Sequence, residues 1–184
     1  GAQPKAAKIA GLISLTVEVN KKAIEKRLEQ GWIDEMILDL DKLIKRIRHV
    51  QQERQIIAIG FLGNIIDVWE KLYNEEIFID IASDQTSLHN PFQGGYYPNG
   101  ISFAQANKMI KTDPSKFKKL VQKSLIKHVN IINKHVKRGT YFFDYGNAFL
   151  LEAKRAGANI INSKGNFIYP SYVQDIMGPL CFDY

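Results

Sequence analysis

The sequence predicts an α/β fold in which helices cover both faces of a mostly parallel sheet. Short apolar runs typical of buried strands alternate along the chain with longer stretches of helical periodicity. Glycine and polar residues follow several of the apolar runs, as they do where parallel strands turn into helices. In folds of this class, ligands bind at the carboxyl ends of the strands.

The first half of the chain supplies two predicted strands and two predicted helical segments. Residues 12–19 and 55–61 are apolar enough to form buried strands. Between them, residues 21–51 carry apolar side chains at helical spacing in an otherwise polar stretch, so we expect helix there. A further helix is expected over residues 64–74.

The second half supplies a third strand over residues 77–82, a fourth over 141–143 and a helix over 147–156. Between the last two strands lies a basic stretch, residues 108–138, with ten Lys or Arg residues against one acid, Asp113. The apolar residues of this stretch recur at helical spacing. We therefore expect its basic side chains on the solvated face of a helix.

The formal net charge of +6 keeps a basic nucleic-acid-binding module open as an alternative function. Such a module would lose affinity steeply as the salt concentration rises. The alternative is disfavoured because the aromatic residues are not interleaved with the lysines as stacking platforms. The apolar run at residues 9–17 is too short to span a bilayer, so we expect neither nucleic acid nor a membrane as partner.

Length and composition indicate a single domain, residues 1–184. The chain is 45% hydrophobic and long enough for one sizeable core. The single cysteine, Cys181, permits no internal disulfide, which fits a reducing compartment. The four histidines lack paired ligand spacing except His128 and His135, which we interpret as surface or core-edge residues, so no metal site is predicted.

The first predicted strand ends near an acid, Glu18. Residues 1–4 look like the tail of a glycine-rich turn that opens a short helix, with Pro4 near the helix start. In dinucleotide-binding folds, an acid at the end of the strand after such a turn accepts hydrogen bonds from the ribose hydroxyls of NAD. On this interpretation the first strand of the sheet precedes residue 1; the alternative is that Glu18 is merely solvated.

Three further strand ends are polar. The second strand leads into Gly63-Asn64 and the fourth into Gly146-Asn147, where glycine allows a tight turn and asparagine can cap a helix. The third strand leads into SDQTSLHNP, residues 83–91, whose neutral donors and acceptors suit ribose hydroxyls, phosphate oxygens or a carboxamide. Either Gly-Asn pair alone is ordinary before a helix, but three polar junctions on one sheet edge predict a binding site.

Five motifs follow one another along the whole chain: GAQPKAAKIAG, GFLGNIIDVWEKL, SDQTSLHNPFQGGYYP, FFDYGNAF and IYPSYVQDIMGPLCFDY. In this order they resemble the central NAD-binding part of the urocanate hydratase (urocanase) family. The resemblance implies a Rossmann-like fold within a larger cytoplasmic, homodimeric enzyme of histidine degradation. That enzyme adds water to urocanate to give imidazolonepropionate, with NAD+ as an electrophile rather than a hydride acceptor.

The resemblance also implies which residues contact NAD. The matching positions are Glu18, Asn64, Ile65, Gln85, Thr86, Ser87, Leu88, His89, Tyr96, Tyr97 and Tyr145. Among them, Glu18 corresponds to the ribose-binding acid and residues 85–89 to the family's contiguous cofactor-binding run. The chain departs from the family at the extra glycine in Gly94-Gly95 and at Ala23, where many members have an Arg whose charge Lys21 or Lys22 could replace.

The resemblance assigns no catalytic residue to this chain, so the 184 residues alone are expected to be inactive. Cys181, in a PLC context that matches a different cysteine from the family's reactive one, is expected to be packed and inert. An ordinary NAD-dependent dehydrogenase domain is the remaining alternative, and it would form NADH. The DQTS run and the lack of a complete G-x-G-x-x-G motif argue against it.

Overall fold

The computed structural model describes residues 2–146 and 148–182, and for Phe182 the backbone alone. The chain divides into two compact units, Gly1–Glu75 and Glu76–Tyr184. Within the described residues, the first unit holds a three-stranded sheet and the second a two-stranded sheet. All strand pairs in both sheets are parallel, which confirms the predicted α/β class.

The first unit alternates helices and strands around its sheet. Its elements are α1 (Gln3–Ile9), β1 (Ile13–Glu18), α2 (Lys21–Glu29), β2 (Glu35–Ile37), α3 (Leu40–Gln52), β3 (Ile57–Leu62) and α4 (Ile65–Asn74). The strands pair in the order β1-β3-β2. Because every pair is parallel, the carboxyl ends of all three strands lie at the same edge.

Strand β3 is the buried centre of this sheet, and residues 57–61 are buried throughout. A glycine in its middle makes room for neighbouring side chains. A Cβ added at Gly60 would lie 2.4 Å from Cδ1 of Ile33 and 2.9 Å from Cδ1 of Ile24. The missing side chain therefore allows these two isoleucines to pack directly on the strand.

One predicted element of this unit is wrong, because residues 21–51 do not form a continuous helix. Gly31 has a φ of 66°, a left-handed conformation that follows the end of α2. Asp34 then accepts a hydrogen bond from the backbone N–H of Ala58 at 2.9 Å, and β2 pairs with β3. Asp39 caps the next helix, α3, by accepting from the backbone N–H of Lys42. The helical pattern thus spans two helices and a short edge strand.

The second unit is built around two parallel strands and a long helix. Its elements are β4 (Ile81–Asp84), a 3₁₀ helix (Pro91–Gln93), α5 (Phe103–Thr112), α6 (Pro114–Lys137), β5 (Tyr141–Asp144), α7 (Phe149–Ala156), a π-helix (Tyr172–Met177) and α8 (Gly178–Phe182). Strand β4 starts later than the predicted strand 77–82, because its pairing with β5 begins only at Ile81. The register places Ile81 opposite Tyr141 and Asp84 opposite Asp144.

Helix α6 has the amphipathic character that the basic stretch predicted. Asp113 caps it by accepting from the backbone N–H of Lys116, and Pro114 lies in its first turn. Its apolar face is completely buried at Phe117, Val121, Leu125, Val129 and Ile132. The ten Lys and Arg residues of 108–138 are exposed, which confirms the solvated basic face. None of the helices described, α6 included, is both long and apolar enough to cross a bilayer.

Replacing Gly60 by Ala is expected to destabilise the protein by about 1 to 3 kcal/mol, the usual cost of adding volume to a full core. The reason is the overlap of the new Cβ with Cδ1 of Ile33, 2.4 Å away. Urea denaturation measures the change in the free energy of unfolding. Ile33→Val in the same background should recover part of the loss, whereas strictly additive effects of the two substitutions would contradict this packing account.

Candidate functional site

Glu18 lies at the carboxyl end of β1, opposite Leu62 of β3. Its Oε1 accepts a hydrogen bond from the backbone N–H of Asn20 at 2.8 Å, which orients the carboxylate. The backbone N–H of Gly63 donates to the Glu18 carbonyl oxygen at 2.9 Å, so this strand end is tied to the turn after β3. The half-buried carboxylate is therefore a fixed acceptor at the ligand-binding edge, suited to a pair of hydroxyl groups.

Asn64 and Ile65 begin helix α4 at the same edge. The side chain of Asn64 caps the helix by accepting from the backbone N–H of Ile66 at 3.0 Å, as the Gly-Asn junction predicted. Gly63 makes the turn possible, because a Cβ there would lie 2.4 Å from Cε1 of Phe61. The first amides of a helix and the positive end of its dipole favour an anionic or polar group at this position.

The run after β4, residues 85–89, has an inward and an outward set of side chains. Thr86 points inward: its backbone N–H donates to Oδ1 of Asp84 at 3.0 Å, and its hydroxyl donates to Oδ2 at 3.2 Å. Leu88 is completely buried. Gln85, Ser87 and His89 are exposed. The inward pair anchors the run, and the outward three present an amide, a hydroxyl and an imidazole to a ligand.

Gly94 and Gly95, where the sequence predicts one extra glycine, close the loop behind this run. Gly94 has a φ of 96°, which favours glycine. A Cβ at Gly95 would lie 2.6 Å from the carbonyl oxygen of Ser87 and 2.7 Å from that of Asn90. The backbone N–H of Gly95 also donates to the Asn90 carbonyl oxygen. Close backbone approach therefore requires glycine at position 95.

Tyr96 and Tyr97 have different surroundings. Tyr96 is 2% exposed, and its hydroxyl oxygen lies 3.3 Å from Nδ1 of His128 on α6. Tyr97 is half-buried; its hydroxyl donates to Oδ1 of Asn107 at 2.9 Å, and its ring packs on Phe103 with 4.6 Å between centroids. In this structure Tyr96 thus belongs to the polar interior of the second unit, and Tyr97 packs against α5.

Two carboxyl groups are buried where β4 and β5 end. Asp84 is 6% exposed and Asp144 is 3% exposed, and the strand register makes them direct neighbours. Burial is the main cause that raises the pKa of Asp84 to about 7; the negative charge of Asp144 adds to it, and the hydrogen bonds from Thr86 act in the opposite direction. Asp84 therefore titrates close to neutral pH.

Tyr145 follows β5 and is joined to the end of β4. Its backbone N–H donates to the carbonyl oxygen of Asp84 at 3.1 Å. Its ring stacks on Tyr172 with 5.3 Å between centroids and an interplanar angle of 10°. Gly146 has a φ of 102°, and a Cβ there would lie 2.9 Å from Cγ2 of Val173. The next residue of the predicted junction, Asn147, lies outside the described residues.

Two sequence-based interpretations of single residues are wrong. His128 and His135 are both 1% exposed instead of lying at the surface or the core edge, because their face of α6 is the apolar, buried one. Burial lowers the pKa of His128 to about 3, so its ring is neutral at pH 7. Cys181 is exposed on α8 and is not a packed core residue. Within residues 2–146 and 148–182, no group of three His, Cys, Asp or Glu side chains could hold a metal ion.

The structure brings the sequence-predicted residues together within each unit. Glu18, Asn64 and Ile65 share the carboxyl edge of the first sheet, and the 85–89 run and Tyr145 share that of the second. The prediction that the polar junctions share one sheet edge is wrong, because β3 and β5 belong to separate sheets.

Asp84 and Asp144 were missed as site residues by sequence reasoning. A signal for them exists: each ends a strand, in the motifs SDQTS and FDYGN, and strands that pair in register bring such ends together. That signal becomes usable only when the pairing of β4 with β5 is known. The side chain of Tyr172, which stacks on Tyr145, was likewise not recognised.

Parallel sheets flanked by helices, with polar side chains and helix N-termini at the strand ends, are the features of a Rossmann-like domain. The chain matches the family described as the urocanase Rossmann-like domain over residues 1–176. It therefore belongs to the urocanase family.

Curated relatives align with almost the whole chain. A probable urocanate hydratase of Caenorhabditis elegans is 51% identical over 185 residues, covering 98% of this chain and 28% of the relative. The urocanate hydratase of Mus musculus is 47% identical over 188 residues, with the same coverage of 98% and 28%. An S-methyl thiourocanate hydratase of a Variovorax strain is 34% identical over 180 residues, covering 98% of this chain and 32% of the relative. The chain thus spans only 28% of the length of the first two relatives.

The raised pKa of Asp84 leads to a prediction about stability. Between pH 3.8 and about 7 the unfolded chain has released this proton and the folded chain retains it. The contribution of Asp84 to the free energy of unfolding therefore falls as the pH rises through this window and is constant above it. At about 1.4 kcal/mol for each pH unit, the loss amounts to roughly 4 kcal/mol. Asp84→Asn should abolish this component, as measured by urea denaturation at a series of pH values.

Asp34 provides a control of opposite sign. Burial acts to raise the pKa of its carboxyl, but the hydrogen bonds from Lys8 and from the backbone of Ala58 and the Lys8 charge lower it overall. The stabilisation from Asp34 is therefore present above pH 3.8 and is lost as the pH falls through its folded pKa. If Asp84→Asn and Asp34→Asn change the pH dependence of stability in the same direction, the assignment for Asp84 is wrong.

Proposed function

We propose that this chain is the NAD-binding part of a longer urocanate hydratase. The observation that carries the proposal is the outward set Gln85, Ser87 and His89, held at the end of a parallel strand by an inward Thr86 and Leu88. Those residues lie in a chain of which 98% aligns with urocanate hydratases at 47–51% identity. Residues 1–184 form one functional domain in this proposal, and the substrate-binding and catalytic residues belong to other segments.

In each unit, the donor and acceptor groups at the strand ends are of the kinds that a dinucleotide requires. Glu18 provides an oriented carboxylate for ribose hydroxyls, and the start of α4 at Asn64 and Ile65 provides a helix N-terminus for phosphate oxygens. Gln85 and Ser87 provide neutral donors and acceptors for a carboxamide. Tyr145, stacked on Tyr172, adds a flat aromatic surface next to the 85–89 run.

Each of these residues binds or orients the cofactor in the proposed mechanism. Bound NAD+ supplies an electron-poor nicotinamide ring that activates urocanate toward water without hydride transfer. Thr86 and Leu88 act indirectly, because they keep the outward side chains of the run in place. Because no hydride is transferred, the cofactor would have the same oxidation state before and after each turnover.

Urocanate is favoured over its S-methyl thio analogue as substrate by the comparisons. The chain is 47–51% identical to urocanate hydratases and 34% identical to the S-methyl thiourocanate hydratase. With the family resemblance, this identity supports a place in histidine degradation, in the cytoplasm, with a homodimeric complete protein. No feature of the described residues favours an ordinary dehydrogenase over a hydratase.

The complete protein is expected to convert urocanate while no NADH accumulates. The measurement follows the ultraviolet absorbance of urocanate and the absorbance of NADH in the same reaction, with S-methyl thiourocanate as a parallel substrate. NADH that forms in step with product would identify a dehydrogenase. An absence of urocanate turnover would refute the proposed substrate.

Alanine at Gln85, Ser87 or His89 should weaken NAD retention in the complete protein and leave the apo form equally stable. These side chains are exposed, so their loss removes no core packing. Gln85 also donates to Oγ of Ser83 at 3.1 Å, but this bond is exposed to water and its loss should change the stability of the apo form little. Each lost bond to the ligand is expected to cost about 0.5 to 1.5 kcal/mol, or up to about 3 where a buried cofactor group loses its partner. Thermal melting with and without NAD+ measures both effects.

Gln93→Ala is the matched control for Gln85→Ala. Gln93 is an exposed glutamine in the 3₁₀ helix of the same loop, and it is outside the predicted set of contacts. Its removal should leave NAD retention unchanged. Equal losses in the two glutamine variants, or variants that melt early even without NAD+, would contradict the role assigned to the run.

A further inference from the structure

Asp84 and Asp144 form a buried carboxyl pair next to the 85–89 run, and neither of them is among the predicted cofactor contacts. Asp84 ends β4 and Asp144 ends β5, and the parallel register places them side by side. Adjacent strands are about 5 Å apart, so two ionised carboxylates at these buried positions would repel each other strongly. Asp84 and Asp144 are only 6% and 3% exposed, so solvent offers little screening.

Asp84 is also the anchor of the run. Both of its oxygens accept hydrogen bonds from Thr86, one from the backbone N–H at 3.0 Å and one from the hydroxyl at 3.2 Å. Its own carbonyl oxygen accepts from the backbone N–H of Tyr145. The side chain of Asp84 thus holds Thr86, and its backbone joins the end of β4 to Tyr145 after β5.

Among the described residues, the charge that acts on the pKa of Asp84 is the negative charge of Asp144. Burial is the main cause that raises the pKa of the Tyr96 hydroxyl, and the negative charge of Asp84 raises it further. His128 of α6 lies behind Tyr96 and is neutral at pH 7 because burial lowers its pKa to about 3. On the other side of Asp144, Ser171 bridges to β5 and its backbone N–H donates to the carboxylate of Asp175. The other buried histidine of α6, His135, lies in the last turn of that helix. Its carbonyl oxygen accepts from the backbone N–H of Thr140, which precedes β5, so His135 lies at the opposite end of β5 from Asp144.

We propose that Asp84 and Asp144 hold one proton between them at neutral pH and that protonated Asp84 positions the 85–89 run for the dinucleotide. This inference rests on the proposed function, and it adds a residue and a proton that the cofactor contacts do not include. Sharing one proton removes the repulsion between the strand ends. It also leaves the ends of β4 and β5 with one negative charge instead of two.

Loss of the proton should loosen the run. As the pH rises through about 7, Asp84 ionises beside Asp144, and the repulsion between them pushes the ends of β4 and β5 apart. The run is fixed to Asp84 through Thr86, so its outward side chains lose their alignment. NAD retention should therefore fall with rising pH by roughly tenfold, equivalent to about 1.4 kcal/mol.

The test measures the dissociation constant of NAD+ by calorimetry with the complete protein across neutral and alkaline pH. The wild type should bind more weakly as the pH rises. Asp84→Asn, which mimics the protonated acid with one acceptor and one donor, should bind at all pH values about as tightly as the wild type does at low pH. A wild type and an Asp84→Asn variant with the same pH dependence would overturn the inference.

Three further substitutions separate the effect of the carboxyl pair from other causes of pH dependence. His89→Gln, made in the wild type and in Asp84→Asn, removes the imidazole of the run as a source of pH dependence. Thr86→Ser keeps the hydroxyl that donates to Asp84 and Thr86→Val removes it, so the valine variant should bind NAD+ several-fold more weakly than the serine variant. If the serine and valine variants bind NAD+ equally, the run is not positioned through Asp84.

Infrared difference spectroscopy of the apo protein tests the proton without any cofactor. The wild type at neutral pH should show the carbonyl stretch of a protonated carboxylic acid, and the band should disappear in Asp84→Asn and on raising the pH. A protein that has this band but binds no NAD+ at any pH would refute the proposed function and confirm the proton-sharing pair. A protein that binds NAD+ without the band would refute the pair and leave the proposed function standing.

Discussion

The parallel pairing of β4 with β5 is the constraint on which the candidate site of the second unit depends. Its register brings Asp84 and Asp144 together and places the backbone N–H of Tyr145 against the carbonyl oxygen of Asp84. From that point the course of the next residues is fixed, because Thr86 binds back to Asp84 and Leu88 enters the core. The outward direction of Gln85, Ser87 and His89 is a consequence of these inward contacts.

Glycines allow the backbone to pass close to neighbouring atoms at strand ends in both sheets. Gly63 allows the turn that joins the end of β3 to Glu18, and Gly95 allows the loop to pass against the carbonyl oxygen of Ser87. Gly146 occupies a left-handed conformation directly after Tyr145, against Val173. In each case an added Cβ would meet a neighbouring atom at less than 3.0 Å. At Gly95 the neighbouring atoms belong to the backbone, whereas at Gly63 and Gly146 a larger residue would force Phe61 or Val173 to move.

Local patterns in the sequence were enough to predict the elements that carry much of the candidate site. β1, β3, α4 and β5 follow from apolar runs and from the Gly-Asn junction after β3, and the parallel α/β class follows from their alternation. The short strand β2 was not predictable, because Glu35–Ile37 forms a strand only through its pairing with β3. The burial of Asp84 and His128 likewise depends on which elements the fold brings together. The exposure of Cys181 was not predictable either, because the residues next to a cysteine in sequence do not decide whether it is buried.

The central claim is that this chain holds NAD at the ends of its parallel strands, and the most direct measurement is of what the protein carries. Mass spectrometry of the small molecules released when the purified complete protein is gently denatured would identify a retained cofactor. The account predicts NAD+, unreduced and in an amount equimolar with the chain. A protein that releases no dinucleotide, and that takes up none when NAD+ is added back to the native form, would contradict it.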